Sequence, residues 1–251
     1  MRIQFGTGNV IFVPLAGNLP TPSSPRIPAT IQDFNFENQG TMKELRGQSQ
    51  YPDDVAVSDK KATWKMGNGR FDIDLFNNLF AGEVASTGGV VVDVNEAHTV
   101  PATNPTTVTV TNSGTFSKDL GVTYSATGQP LARVASGPAQ GQYSVNSGTG
   151  VYTFALADAS QGINISYAYT TTGGSIVTVQ NHVQGWSPTF EIYVAETYQE
   201  LTGVVPNYIH IFNARCTKFS LPLKRADYLI TDLEGECFAA SSGKVFELYE
   251  D

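Results

Sequence analysis

The stretch IQDFNFE (residues 31–37), followed by KELRGQSQYP (43–52), KKATWKM (60–66) and GRFDIDLFNNLFAGE (69–83), decides how this chain folds. In its first segment Gln32, Phe34 and Phe36 alternate with Ile31, Asp33, Asn35 and Glu37. A period of two sends successive side chains to opposite faces, so the segment reads as a half-buried antiparallel strand whose polar side carries carboxylates. A second strand is expected over 41–46. RGQSQYPDDVAVSDK (46–60) then reads as a loop, because Gly47, Pro52, Asp53 and Asp54 interrupt regular structure. Alternation returns at 61–66, with Ala62, Trp64 and Met66 on one face. Residues 70–81 carry two signals: FDIDL has strand period, while Phe71, Leu75, Phe76, Leu79 and Phe80 fit one helical stripe. Asn68 as N-cap, Asp72 and Asp74 in the first turn and Gly82 just past the end favour the helix, the one substantial helix expected here.

Upstream, residues 1–28 hold an apolar patch at 9–15 and then LPTPSSPRIP (19–28). Four prolines in so short a run exclude a central strand or a helix, so 1–28 is expected to be an extended arm, disordered in a monomer and able to lie across a neighbour in an assembly. Downstream, the composition over 88–181 shifts to Thr, Ser, Gly, Val and Tyr. Strands are expected at 106–111, 143–145, 151–155, 163–169 and 176–180, with hairpin turns at NSGTG (146–150) and Gly173-Gly174. This reads as a small β module inserted between two parts of a main domain, 29–87 and 182–251. The main pattern resumes in TFEIYVA (189–195), where Phe190, Ile192 and Val194 oppose Thr189, Glu191 and Tyr193, and continues through YIHIFNARC, KFSLPL, 228–232 and KVFELY. A mainly β, antiparallel β-sandwich with one flanking helix and an inserted β module is the economical reading.

With 251 residues the chain is long enough to bury a sizeable core, and charged residues are only 15% of it, as suits a surface hidden against other copies. The formal net charge of −8 and the absence of a basic stripe argue against nucleic-acid recognition as the primary function, since phosphate binding needs cations to displace counterions. An acidic chain can still have DNA as a neighbour where the DNA is to slide past without sticking. Cys216 and Cys237 form no CxxC pair and read as reduced core residues. The start, MRIQFGTGNV, lacks the pattern of a secretory signal, and no stretch approaches a membrane span, so assembly in a cytoplasm is expected.

No catalytic constellation emerges. His98, His182 and His210 have no metal-type spacing and read as surface or strand residues. There is no GxSxG elbow, Gly243-Lys244 lacks the rest of a phosphate loop, and Gly6-Thr7-Gly8 has no helix behind it. Asp72 and Asp74 are better explained by a helix N-terminus than by a calcium loop. The expectation is a non-enzymatic chain with no cofactor and no metal.

Several segments in order resemble phage tail tube (major tail) proteins. PATIQDFNF (28–36) is similar to their first core strand, and MKELRGQSQYP (42–52) to their strand-plus-loop, with Arg46 in place of the usual aromatic. KKATWKM and RFDIDLFNNLFAGE resemble their next strand and amphipathic helix. DLGVTYSATGQPLARVASGPAQGQYSVNSGTGVYTFALAD (119–158) looks like a stretch found in one subgroup, and KFSLPLKRADYLITDLEGECFAASSGKVFELYED (218–251) like their closing strands. The N-terminal arm is the least similar part.

That resemblance implies a tail-tube type sandwich whose hexameric rings stack helically into a conduit for DNA ejection, within the virion tail. Implied partners are other copies of the chain, together with tape-measure, terminator, baseplate and sheath proteins; DNA passes transiently, and no membrane is involved. Asp33, Glu37 and Glu191 are candidates to face the lumen, where carboxylates repel phosphate. The loop residues Gly47, Gln48, Gln50, Tyr51, Pro52, Asp53 and Asp54 are candidates for ring stacking. The alternatives are another virion β protein (tail terminator, baseplate hub or adhesion module) and, from a different class, a β-sandwich hydrolase. An exposed row formed by Tyr143, Tyr152, Tyr167 and Tyr169 would favour adhesion.

Overall fold

The structure is a computed structural model that describes residues 8–17, 20, 23–200, 203–223, 225 and 228–250. The elements in chain order are β1 (Asn9–Gly17), β2 (Ile31–Leu45), β3 (Asp54–Asn68), α1 (Ile73–Phe76) running into a π turn (Asn77–Ala81), β4 (Ser86–Thr99), β5 (Thr107–Thr109) and β6 (Phe116–Tyr124). They continue with β7 (Ala132–Arg133), β8 (Gln142–Asn146), β9 (Val151–Phe154), β10 (Gly162–Ile176), β11 (Pro188–Glu200), β12 (Gly203–Ser220), β13 (Thr231–Cys237) and β14 (Phe246–Glu250). The chain divides into two compact units, Met1–Ala85 with Val177–Asp251, and Ser86–Ile176. From sequence the inserted module was placed at 88–181.

The first unit is one antiparallel sheet in the order β1-β11-β12-β13-β3-β2, with β14 also paired to β12. It curls tightly. Phe12 of β1 and Trp64 of β3 are separated in the sheet by three strands, yet their ring centroids lie 5.7 Å apart. Phe190 of β11 stands edge-on to both, at 5.7 Å and 5.8 Å. The fold over this aromatic trio is sandwich-like, with Met66, Ile192, Val194, Ile211 and Leu233 completing the core. Gly235 makes the Trp64 position possible: a Cβ there would overlap the Arg215 carbonyl oxygen and sit 2.7 Å from the indole Cε2.

Leu75 and Leu79 bring the helical segment into that core. Its N-cap is Asp72, whose carboxylate accepts from the amides of Asp74 and Leu75, and not Asn68, which instead ends β3 and donates to the Arg70 carbonyl. Gly82 closes it in the left-handed region at φ 67°, with its amide bonded to Asn77 O, the i to i−5 pattern of a π turn. The single helical stripe expected from Phe71 to Phe80 is therefore split. Leu75 and Leu79 point into the core, while Phe76 and Phe80 stack on each other and meet the Phe219 ring at a tilt.

The N-terminal segment departs from the expected arm. β1 pairs with β11 in register from Asn9↔Ala195 to Gly17↔Pro188, and Val10 and Phe12 are fully buried. Alternating apolar side chains in NVIFV close the sheet of their own chain, which outweighs the extended tendency of the prolines that follow. Those prolines flank Arg26, whose backbone bonds both ways with Phe12 and whose guanidinium reaches Asp74 at 3.1 Å. Residues 1–7, 18–19 and 21–22, also assigned to the arm, lie outside the described residues.

The second unit contains a three-stranded sheet, β4-β10-β6, and a four-stranded sheet, β5-β9-β8-β7. Side chains from both, among them Val122, Ile163, Ile165 and Tyr167 from the first and Val108, Tyr143, Tyr152 and Phe154 from the second, form one core. The tyrosine row does not form an open face. Tyr143, Tyr152 and Tyr167 are buried, Tyr169 is half-buried, and the buried hydroxyls end on carboxylates. Asp119, with its side chain 4% exposed, accepts from Tyr143 at 2.8 Å and Tyr152 at 2.9 Å, and Arg133 approaches to 3.6 Å. Asp158 likewise takes the Tyr124 hydroxyl at 2.7 Å and the Gly141 amide. Burial, then the neighbouring carboxylate, pushes the Tyr124 phenol up to about 12 and raises Tyr143 and Tyr152 as well.

Candidate assembly surfaces

β2 and β3 continue as a ribbon well past the core. Pairing runs unbroken in direction from Ile31↔Asn68 out to Leu45↔Asp54, with bulges near each end of β2. Only Ile31, Phe34 and Phe36 of β2 are partly buried; from residue 37 outward, every residue of both strands to 61 is exposed except Pro52, which is half-buried. The bulge between Ile31 and Asp33 explains why Ile31 joins Phe34 and Phe36 on the core side, where simple alternation had put Gln32.

The expected loop over 46–60 is shorter in the structure. Residues 46–53 form the turn, closed by the Asp53 amide on Leu45 O at 2.7 Å, and 54–60 belong to β3. Val55 and Val57 carry the strand alternation that the flanking Asp residues masked in the sequence. On one face of this ribbon Met42, Glu44, Val55 and Val57 lie together, since Met42 pairs with Val57 and Glu44 with Val55. Gly47, Gln48, Gln50, Tyr51, Pro52 and Asp53 sit in the turn, and Asp54 opens β3 with its carboxylate on the Val55 amide. Tyr51 at the tip is 82% exposed.

A second surface is the outer face of β2, β3, β13 and β12. Register puts Asp33 opposite Gly67 and Asp232, Asn35 opposite Lys65 and Glu234, and Glu37 opposite Thr63 and Glu236. Lys61 pairs with Glu236 at 2.5 Å, Lys65 with Glu234 at 3.1 Å and Lys218 with Glu234 at 3.0 Å. The hydrogen bond from Lys218 leads the causes that hold the Glu234 carboxyl below its ordinary range, and the bond to Glu234 leads those that raise Lys65. Five carboxylates thus share the face with three lysines, each held by a glutamate, and with Arg215, which the register sets opposite Glu236.

Asp33 and Glu37 lie on this face, but Glu191 does not join them. It is on β11, across β12 and β13 from β3, half-buried, and accepts from the Tyr193 hydroxyl at 2.7 Å beside His210. The histidines, read from sequence as ordinary strand or surface residues, each meet a glutamate: His98 with Glu96 at 2.6 Å, His182 with Glu83 at 2.7 Å, and His210 between Glu191 and Glu247. Glu83 also accepts the Gln180 amide, the first cause of its lowered pKa, while His182 stacks on Trp186 at 3.7 Å. Only the Glu96–His98 pair has a spacing that sequence could have flagged.

Cys216 and Cys237 are free, and burial pushes both thiols up to about 12. Among the described residues no group of three or more His, Cys, Asp or Glu is arranged to hold a metal ion, and no helix is long and apolar enough to cross a membrane. No protein-family model matches the chain, and no curated protein sequence matches it.

Proposed function

We propose that this chain is a structural subunit of a phage tail tube, in which hexameric rings stack into a conduit for DNA. The observation that carries the proposal is the β2–β3 ribbon. An isolated two-stranded hairpin is marginal in water, and one that exposes Met42, Val55 and Val57 while building nothing in its own subunit implies a surface on another copy. The order of the separate segments that resemble tail tube proteins supports the same assignment. Ring stacking is a heterologous, non-closing contact, the kind that yields a filament.

In this reading the ribbon reaches from one ring to the next, and the outer face bearing Asp33 and Glu37 lines the lumen. The physical case for that face is its charge. Its three lysines are held by Glu234 and Glu236, and Arg215 opposite Glu236 is bonded to Thr189, so five carboxylates outnumber the cations and phosphates meet a net negative wall. Glu191, being tied to Tyr193, contributes less to such a wall.

The test is negative-stain electron microscopy of the purified chain after concentration. Hollow tubes with a regular axial repeat are expected. Discrete single rings would replace the tube reading with a terminator or hub, and monomers at every concentration, with the ribbon intact, would overturn self-assembly.

A further inference from the structure

β4 is an edge strand. The three-stranded sheet of the second unit runs β4-β10-β6, and among the described residues no strand pairs with β4 on the side away from β10. The run VVVDV (90–94) lies along that edge, and Val90, Val91, Val92 and Val94 are 58%, 40%, 52% and 65% exposed. Register fixes the faces. Asp93 pairs with the buried Tyr167 and Val91 with Tyr169, so both look to the core side. Val92 pairs with Ala168 and Val90 with Thr170 on the outer face, and alternation adds Val94 to that row. Gly88 and Gly89 precede the run, and a bulge follows it where Asn95 has φ 62°.

The opposite edge of the same sheet is guarded. Segment 129–131 covers the end of β6, with Leu131 N on Val122 O and Tyr124 N on Gln129 O, both at 2.9 Å, and Lys118 stands on the rest. The exposed run of β4 contains no lysine and no proline. An unguarded edge offers its N–H and C=O groups to a further strand. Charge and shape then choose the strand. Antiparallel pairing of two β4 strands about Val92 sets Val92 against the partner's Val92, Val90 against the partner's Val94 and Val91 against the partner's Asp93. Apolar β-branched pairs fill the outer row, and the two Asp93 carboxylates stay apart. Centring on Asp93 would force those carboxylates together, and centring on Val91 would leave Val94 facing Gly88 with nothing to pack on.

We propose that the β4 edge is a two-fold docking surface for a second copy of this chain, joining two second units into one sheet in the order β6-β10-β4-β4-β10-β6. An isologous contact of this kind closes on itself, so it links two chains and stops. One short strand from each chain makes a small interface, and the association is of the weak, transient class. The contact does not rest on the tube reading, because the ribbon belongs to the first unit and β4 to the second.

The experiment is disulfide trapping in the full chain carrying Val92→Cys, kept below any concentration that yields tubes and treated with a mild oxidant. Paired across the two-fold, the new thiols fall within the Cα separation of about 4.4–6.8 Å that a disulfide spans. Covalent dimer is expected about tenfold faster than from Val91→Cys, whose thiols stand two residues out of register and beyond bridging distance. Burial pushes the Cys216 and Cys237 thiols up to about 12, so the unaltered chain supplies a low background. Adding Val90→Lys and Val94→Lys to the Val92→Cys chain sets like charges directly opposite each other, and trapping should fall to the Val91→Cys rate while thermal unfolding stays unchanged. Equal rates from Val92→Cys and Val91→Cys, or a rate that the two lysines leave unaltered, overturn the two-fold. Faster mixed trapping with a Lys118→Cys chain would move the contact to β6 of the second copy and overturn it too. No covalent dimer at all would leave the edge to a strand from another protein, which equally refutes the proposal.

Discussion

Replacing Met42 with Gln and both Val55 and Val57 with Thr removes the apolar stripe of the β2–β3 ribbon while keeping side-chain volume and strand propensity. These side chains are 68%, 46% and 50% exposed in the subunit. Full burial of a Val or Met side chain is worth about 1.5–3 kcal/mol, so covering what remains exposed is worth roughly 1 kcal/mol for each Val and somewhat more for Met. The three together approach about 3 kcal/mol per contact, of which ordering the ribbon on docking consumes a part. If the chain assembles as proposed, a net loss of about 2 kcal/mol should raise the threshold concentration for tubes roughly 30-fold. Because none of the three touches the core, the subunit's own stability should change by no more than about 0.5 kcal/mol. Pelleting across a concentration series gives the threshold, and thermal unfolding gives the stability. Tubes at an unchanged threshold would refute the ribbon as a contact. A large drop in Tm would show instead that these side chains stabilise their own subunit.

Other expectations concern the two cores and the junction between strands. Asp119→Asn replaces one of two acceptors by a donor, stranding a buried tyrosine proton; a loss of about 2 kcal/mol is expected in denaturant unfolding, and a neutral result would mean the tyrosines find other partners. Gly235→Ala forces the Arg215 backbone or Trp64 to move and should cost about 1–3 kcal/mol, with a change in tryptophan fluorescence. Glu83 has a folded-state pKa below its unfolded value, so its contribution is present above the ordinary glutamate range and is lost as pH falls through the folded value. Glu83→Gln should therefore flatten the dependence of Tm on pH in that acid window, and an unchanged slope would exclude the Gln180 and His182 contacts as its source.

Strand character was legible wherever alternation was clean, as in 31–37 and 189–195. It was misread where one residue breaks the count. The bulge after Ile31 reverses the parity of Gln32, and the π turn at Asn77–Ala81 splits one apparent stripe into a core-facing and an outward-facing pair. Local polarity hid Val55 and Val57, because Asp53, Asp54 and Asp59 look like loop until the partner strand is known. The prolines after β1 mask NVIFV as a strand in the sequence, since its burial depends on Phe190, nearly 180 positions away. Asp33 and Glu37 could be placed on a polar face from sequence. The lysines that share it could not, since Lys218 and Glu234 meet Lys65 only through sheet order. His210 and its two glutamates come from three strands, and no spacing announces them.

Ser86 and Ile176 face each other as a register pair at the first rung of the β4–β10 ladder. The chain thus leaves for the second unit and comes back from it at neighbouring points. A segment with such adjacent ends is topologically a long hairpin tip, so it can be cut back to a tight turn, or exchanged for an unrelated domain with close termini, without altering the path of the strands before and after it. In chain path, the sheet of the first unit is therefore independent of what occupies the segment between Ser86 and Ile176.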